Sequence, residues 1–243
     1  MASLGSLAKD TAIYGLSSIV GRFLNYLLVP LYTAKLSAAS GGYGVITNVY
    51  AYTALLFVIL TYGMETTFFR YANKEGEDPR RVYSTILMSV GFTSLVFVLL
   101  VFMFISPVSA AMGYADHPSY VWTMAMTVAL DAFQAIPFAY LRYKKRPVKF
   151  AALKMLFIVM NISLNLVFFL LLPALYESSG GEGLAGRIYD PAVGVGYAFY
   201  INLFCTASIT FLFRKELSGF RYVFDRALLK RMLGYSWPIL VLG

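Results

Sequence analysis

The sequence is short of charge: Lys, Arg, Asp and Glu make up only 13% of its 243 residues, whereas soluble domains carry about 25%. It has one cysteine, Cys205, and one histidine, His117. A single cysteine excludes a disulfide within the chain, and these two residues offer no metal-ligand cluster. The sequence also lacks a Gly-rich phosphate loop and a nucleophile–base motif. We therefore predict neither an enzyme nor a metal site.

Apolar residues fill the chain instead, because 59% of it is hydrophobic and the apolar runs are long and continuous. A helix of about 20 residues crosses a hydrocarbon core of about 30 Å. Continuous runs of this length predict an all-α integral membrane protein rather than an outer-membrane barrel. Six transmembrane helices and the start of a seventh at residue 234 are predicted, the six covering residues 11–36, 43–69, 83–105, 120–141, 150–172 and 192–213.

The positive charges favour one side of the membrane. With the N-terminus in the cytoplasm, sixteen of the 20 Lys and Arg residues fall in inner segments and two, Lys35 and Arg187, in outer loops. Such a bias over short loops predicts a cytoplasmic N-terminus. It also accounts for the net charge of +8 without nucleic acid, and it suggests contacts with anionic lipid.

The first span carries an arginine near its centre. Arg22 lies about ten residues into the span, or roughly 15 Å along the helix. Inserting a guanidinium into the membrane at this depth costs at least about 2.5 kcal/mol. Gly15, Ser18 and Asn25 share its helix face because they follow at spacings of three and four. This small, polar face predicts a cavity, a partner or an anionic ligand beside it.

Further polar residues lie within the other spans and predict a hydrated interior. They are Glu65 in the second span, Asp131 and Gln134 in the fourth, Asn161 and Asn165 in the fifth, and Asn202 in the sixth. Structural roles remain open for each of them. Asp131 can pair with Arg22, Glu65 can pair with Arg70, and the asparagines can form ordinary hydrogen bonds between helices.

Three segments resemble a known family. They are LAKDTAIYGLSSIVGRFLNYLLVPLYT at residues 7–33, LTYGMETTFFRYANK at 60–74 and AIPFAYLRYKKRPVKF at 135–150. They resemble bacterial polysaccharide-transport proteins, the O-antigen and lipid-linked oligosaccharide flippases. These belong to the multidrug/oligosaccharidyl-lipid/polysaccharide exporter superfamily.

The resemblance implies two six-helix bundles around a central cavity that opens to one side of the membrane at a time. It implies polysaccharide biosynthesis or export, in which undecaprenyl-diphosphate-linked oligosaccharide crosses the bacterial inner membrane. Residues 1–231 correspond to the N-terminal bundle, and residues 232–243 to the start of a truncated second bundle. The expected partners are therefore membrane lipid, the lipid-linked oligosaccharide, and a second transporter half or other glycan-assembly proteins.

Within that framework we assign roles as hypotheses. Arg22 contacts the diphosphate or an acidic sugar, because a guanidinium pairs well with phosphate. The remaining proposed substrate-binding residues are Asn25, Asp131, Gln134, Asn161 and Asn165. Glu65, Arg70 and Asp131 are assigned to ion coupling or gating. No cofactor is expected, apart from a coupling proton or sodium ion.

Three alternatives stay open. A multidrug or metabolite cation antiporter of the same superfamily would expose carboxylates without a central arginine. A membrane-embedded glycan polymerase would need catalytic residues in large outer loops, and the longest outer loop, 174–191, has one arginine and no histidine. A non-transporting assembly partner is the third.

Overall fold

The computed structural model describes Gly15 and residues 28–36, 42–181, 183–218 and 220–242. Within these residues the secondary structure is helical and contains no strand. The helices, in chain order, are α1 (Leu28–Lys35), α2 (Gly42–Thr61), α3 (Met64–Ala72), α4 (Pro79–Met103), α5 (Ile105–Ala111), α6 (Pro118–Tyr143), α7 (Pro147–Leu166), α8 (Leu172–Ser178), α9 (Gly183–Ile188), α10 (Gly196–Leu212), α11 (Arg214–Leu217) and α12 (Arg226–Leu242).

Four of the described helical segments are long and apolar enough to cross a membrane. They are Gly42–Ala72, Pro79–Met103, Pro118–Tyr143 and Pro147–Ser178. The all-helical membrane class is therefore confirmed, whereas the count of six spans is not. Most of the predicted first span lies outside the described residues. The predicted sixth span, 22 residues long, contains the shorter apolar helix Gly196–Leu212.

Helix α6 is the central helix of the bundle and packs against α2, α4 and α10. In its most apolar stretch of 18 residues, 72% of the residues are buried. The corresponding share in the other three candidate spans is 17–28%. Small residues at helical spacing, Ala125, Ala129, Ala132 and Ala139, are buried along it. Because small side chains let helix backbones approach closely, this composition suits the centre of a membrane bundle.

Helix α4 presents apolar side chains to the outside. Phe92, Leu95, Leu99 and Met103 recur at spacings of three and four, and each is more than half exposed. A contiguous apolar face of this kind is unfavourable in water and favourable against lipid chains. The outer surface thus supports the assignment to a membrane.

The sequence predicted the second span as one continuous helix, but the structure shows a break in it. It breaks at Tyr62 and Gly63, which have φ angles of 32° and 70°. The backbone there lies against α12, because a Cβ on Gly63 would come within 3.2 Å of Ile239 and of the Ser236 carbonyl. Glycine adopts this left-handed conformation without a steric penalty, and its missing side chain leaves room for α12 at the break.

The predicted end of the fifth span at residue 172, just before Pro173, was wrong. Helix α7 continues through a π-helical turn, Val167–Leu171, into α8, and Pro173 lies in the first turn of α8. A proline ring normally clashes with the carbonyl four residues before it. Here that carbonyl belongs to Phe169, inside the π turn, where the altered hydrogen-bond spacing makes room for the ring.

Helix α12 packs on the same bundle as the preceding helices. Leu228 and Met232 are fully buried in one apolar cluster with residues of α3, α4 and α6. The Tyr71 hydroxyl donates a 3.0 Å hydrogen bond to the Arg231 carbonyl. The domain boundary predicted between residues 231 and 232 falls inside this helix, and the two-bundle division stays a prediction.

Candidate functional site

A cavity of about 850 Å³ lies among α1, α2, α6, α7 and α10. Its wall is mainly aromatic and aliphatic, and it contains a few polar groups, as small-molecule sites commonly do. Among the described residues, the lining consists of Leu28, Val29, Tyr32, Tyr43, Ile46, Tyr50, Thr53, Ala54, Phe57, Val58, Asp131, Phe157, Asn161 and Asn202.

Three tyrosines form one side of this cavity. The rings of Tyr32 and Tyr43 stack with centroids 6.2 Å apart, and Tyr32 meets Phe169 edge-on at 5.4 Å. The Tyr50 ring packs edge-on against Phe199 at 6.2 Å, and its hydroxyl interacts with the side chain of Asn202. Flat rings with a polar tip are thus held in fixed orientations at the cavity wall.

The sequence did not identify these tyrosines as site residues, although the signal was present. Tyr43, Ile46, Tyr50, Thr53 and Phe57 recur every three or four residues and so lie on one face of α2. The sequence prediction used polarity within the spans and therefore selected charged and amide residues. An aromatic face at helical spacing is common in apolar packing, and only the tertiary structure shows that this one borders a cavity.

Asp131 lies in the cavity wall. The Thr206 hydroxyl is 3.4 Å from Oδ1 of Asp131 and donates to it. Within the part of the chain that the structure describes, no cation lies within ion-pair distance of Asp131. Lys154 is near enough for its charge to act on the carboxylate. Asp131 therefore presents an acceptor to the cavity.

The two predicted asparagines of α7 are adjacent but have different environments. Asn161 lines the cavity. Asn165 is fully buried, donates from Nδ2 to the Asn161 carbonyl at 2.8 Å, and accepts a 2.7 Å hydrogen bond from Tyr32. Asn161 thus borders the cavity while its Oδ1 accepts a 3.2 Å hydrogen bond from Nδ2 of Asn165, and Asn165 fixes the side chains behind the wall.

Gln134 lies outside the cavity lining. Its Nε2 donates to the Thr206 carbonyl at 2.9 Å and to the Thr210 hydroxyl at 2.7 Å. Both bonds join α6 to α10, and the side chain is buried between the two helices. The sequence left such interhelical hydrogen bonding open for the asparagines, and the structure shows it for the glutamine.

Glu65 and Arg70, assigned to coupling, do not pair with each other. Glu65 forms an ion pair with Arg142 at the end of α6. The Arg70 guanidinium lies over the Tyr235 ring, 4.0 Å from its centroid. The Lys154 ammonium lies over the Phe138 ring, 4.2 Å from its centroid, and is near enough to Glu65, Asp131 and Arg142 to feel their charges.

Arg22 and Asn25 lie outside the described residues, and their roles stay predictions. The same holds for pairing of Arg22 with Asp131. No group of three or more His, Cys, Asp or Glu side chains that could hold a metal ion occurs among the residues that the structure describes.

Comparison with known proteins adds no assignment. No protein-family model, curated protein or solved structure matches this chain.

Proposed function

We propose that this chain forms part of a membrane transporter that moves a lipid-linked oligosaccharide across the bacterial inner membrane by alternating access. The observation that carries the proposal is a cavity of about 850 Å³ lined by tyrosines, amides and a carboxylate among helices long enough to span a bilayer. Polar groups inside a membrane are costly, and they commonly mark a substrate path.

The lining has the chemistry that a sugar requires. The apolar faces of sugar rings can stack on Tyr32, Tyr43 and Tyr50, while hydroxyl groups can exchange hydrogen bonds with Asn161 and Asn202. Binding sites of about 300–1,000 Å³ with a mainly apolar wall and few polar groups are typical for small ligands. The cavity therefore accommodates a few sugar units at a time.

The diphosphate of the carrier lipid would be bound by Arg22, which the sequence places at mid-membrane depth. Bidentate pairing makes a guanidinium suited to phosphate. The basic loops support an N-terminus in the cytoplasm, so the substrate would enter from the inner leaflet. A second half, either in the same gene product or in a partner, would complete the cavity.

The test is a strain in which this gene is deleted. We expect lipid-linked oligosaccharide to accumulate in the inner leaflet, and we expect the wild-type gene to restore its appearance outside. A double variant, Tyr50→Ala with Asn161→Ala, should fail to restore it at normal expression. Phe92→Ala, on the exposed face of α4, is the matched control and should restore it. Normal glycan export in the deletion strain would refute the proposal.

A second candidate, export of an organic cation, is favoured by one observation. Asp131 faces the cavity without an ion-pair partner among the described residues, and aromatic rings beside a carboxylate suit a cation. Drug or metabolite tolerance of the deletion strain distinguishes the two. A deletion strain with changed tolerance and unchanged glycan export would favour cation export. The Asp131→Asn variant should then fail to restore the normal tolerance.

A further inference from the structure

A second cavity, of about 280 Å³, lies at the end of the bundle that the charge distribution predicts to be cytoplasmic. Four cationic residues line it: Arg80 from the first turn of α4, Lys144 and Arg146 from the loop after α6, and Lys215 from α11. The lining contains one carboxylate, Glu216. These residues come from three segments that are far apart in the sequence.

The carboxylate does not neutralise the cavity, because a lysine outside the lining already binds it. Glu216 is buried, and its Oε2 is 2.5 Å from Nζ of Lys149, which is not part of the lining. Arg146 is a more distant partner at 3.9 Å. Within the described residues, Arg80, Lys144 and Lys215 have no carboxylate partner. The cavity therefore has a surplus of positive charge.

Aromatic residues fix the shape of this cavity. Tyr140, in its wall, stacks on Tyr83 with ring centroids 4.2 Å apart. Phe220, also in the lining, contacts the Tyr83 ring with centroids 5.5 Å apart. The Lys144 ammonium is 5.5 Å from the Tyr140 ring centroid. The Lys144 ammonium thus packs against an aromatic wall, while all four cationic side chains stay exposed to an approaching ligand.

The segment that follows the cavity exposes side chains suited to a membrane interface. Tyr222, Val223 and Phe224 are each 40–45% exposed. The backbone is held against α4, since the Val223 N–H donates a 2.8 Å hydrogen bond to the Ser84 hydroxyl. Exposed aromatic residues beside Lys and Arg are characteristic of the level of lipid headgroups.

We propose that this cavity binds a phosphate group, supplied by the headgroup of an anionic membrane lipid. Arg80 contributes a planar fork that matches phosphate oxygens, and Lys144 and Lys215 contribute compact charges. The adjacent exposed aromatic residues favour a lipid over a soluble compound as the source. The site is separate from the larger cavity, and it does not depend on the transported substrate.

The test uses the full chain, purified in a mild detergent, with phosphatidylglycerol as the probe and native mass spectrometry as the readout. The variant Arg80→Gln, Lys144→Gln, Lys215→Gln should bind the lipid about 100-fold more weakly, given the usual contribution of each basic residue near a lipid surface. The variant Lys144→Arg, Lys215→Arg keeps the charges and should retain binding.

The matched control is Lys74→Gln, Lys145→Gln, Arg214→Gln, which removes the same charge from residues outside the cavity lining, in the loop before α4, the loop after α6 and α11. It should bind phosphatidylglycerol as the wild type does. Equal weakening in this control, or unchanged binding in the cavity variant at unchanged thermal stability, would overturn the proposal.

A competition with inorganic phosphate distinguishes the source. If millimolar phosphate leaves the lipid bound, the lipid headgroup is supported as the natural occupant. If phosphate displaces the lipid from the wild type and binds the cavity variant more weakly, the phosphate site is supported and the lipid source is overturned.

Discussion

The Tyr32 hydroxyl donates a 2.7 Å hydrogen bond to Oδ1 of Asn165, joining α1 to α7 across 133 residues of sequence. Asn165 in turn donates to the Asn161 carbonyl one turn earlier. Asn161 and Tyr32 both line the larger cavity. A buried amide therefore connects two parts of the cavity wall that belong to different helices.

Tyr32→Phe should destabilise the protein by about 1 kcal/mol, because it leaves the buried Asn165 carbonyl oxygen without its donor. The thermal midpoint in detergent measures the effect. Tyr43→Phe is the matched control, since the hydroxyl of this neighbouring cavity tyrosine makes no hydrogen bond to another described residue, and its midpoint should not change. A midpoint for Tyr32→Phe equal to the wild type would show that this bond adds no stability.

The ion pair between Glu65 and Arg142 joins α3 to the end of α6. Both side chains are about one-third exposed, at 39% and 33%, so we expect a modest coupling of about 1 kcal/mol. A double-mutant cycle of Glu65→Gln and Arg142→Gln measures this coupling. Glu75→Gln, at an exposed position without an ion pair to the described residues, should be neutral. Additive single changes would contradict the expected coupling.

The helix break at Gly63 should tolerate no side chain. Gly63→Ala forces a Cβ into a left-handed conformation, φ 70°, and towards Ile239 and the Ser236 carbonyl at 3.2 Å. We expect a loss of about 1–2 kcal/mol, seen as a lower thermal midpoint. Gly44→Ala is the control because nothing lies within 4 Å of its added Cβ, and alanine favours a helix. A stabilised Gly63→Ala protein would mean that α12 does not pack here.

Asp225 should make stability depend on acid pH. The Leu228 N–H, 2.9 Å from its Oδ1, and the nearby Arg81 guanidinium lower the pKa of this carboxyl. A lowered folded pKa gives stability that is present above the unfolded pKa of about 4 and is lost as pH falls through the folded value. Asp225→Asn should therefore flatten the fall in thermal midpoint below pH 4.

The control for that measurement is Asp116→Asn, in an exposed loop without an ion pair to the described residues. It should leave the fall in thermal midpoint below about pH 4 as in the wild type. An unchanged fall in Asp225→Asn would show that the hydrogen bond from the Leu228 N–H to Asp225, at the start of α12, does not contribute to the pH dependence.

Asp131 and Gln134 illustrate what helical spacing can and cannot predict. The period of three to four residues correctly grouped Asp131 and Gln134 on polar positions of one helix. It could not distinguish the cavity wall from the contact with α10, which lies beside it. That distinction depends on how α6 is rotated between its neighbours, and packing with side chains remote in the sequence sets this rotation.

The sequence by itself determined the membrane class and the approximate positions of the long apolar helices, because burial in hydrocarbon requires continuous apolar runs. It also determined the uneven distribution of basic residues. Only the tertiary structure decided the break at Gly63, the continuation past Pro173, and the pairing of Glu65 with Arg142. Each of these depends on contacts between segments or on local backbone adjustment, which the spacing of residue types does not encode. The same reason explains why Arg80, Lys144 and Lys215 appeared as separate topology signals, although the fold brings them to one cavity.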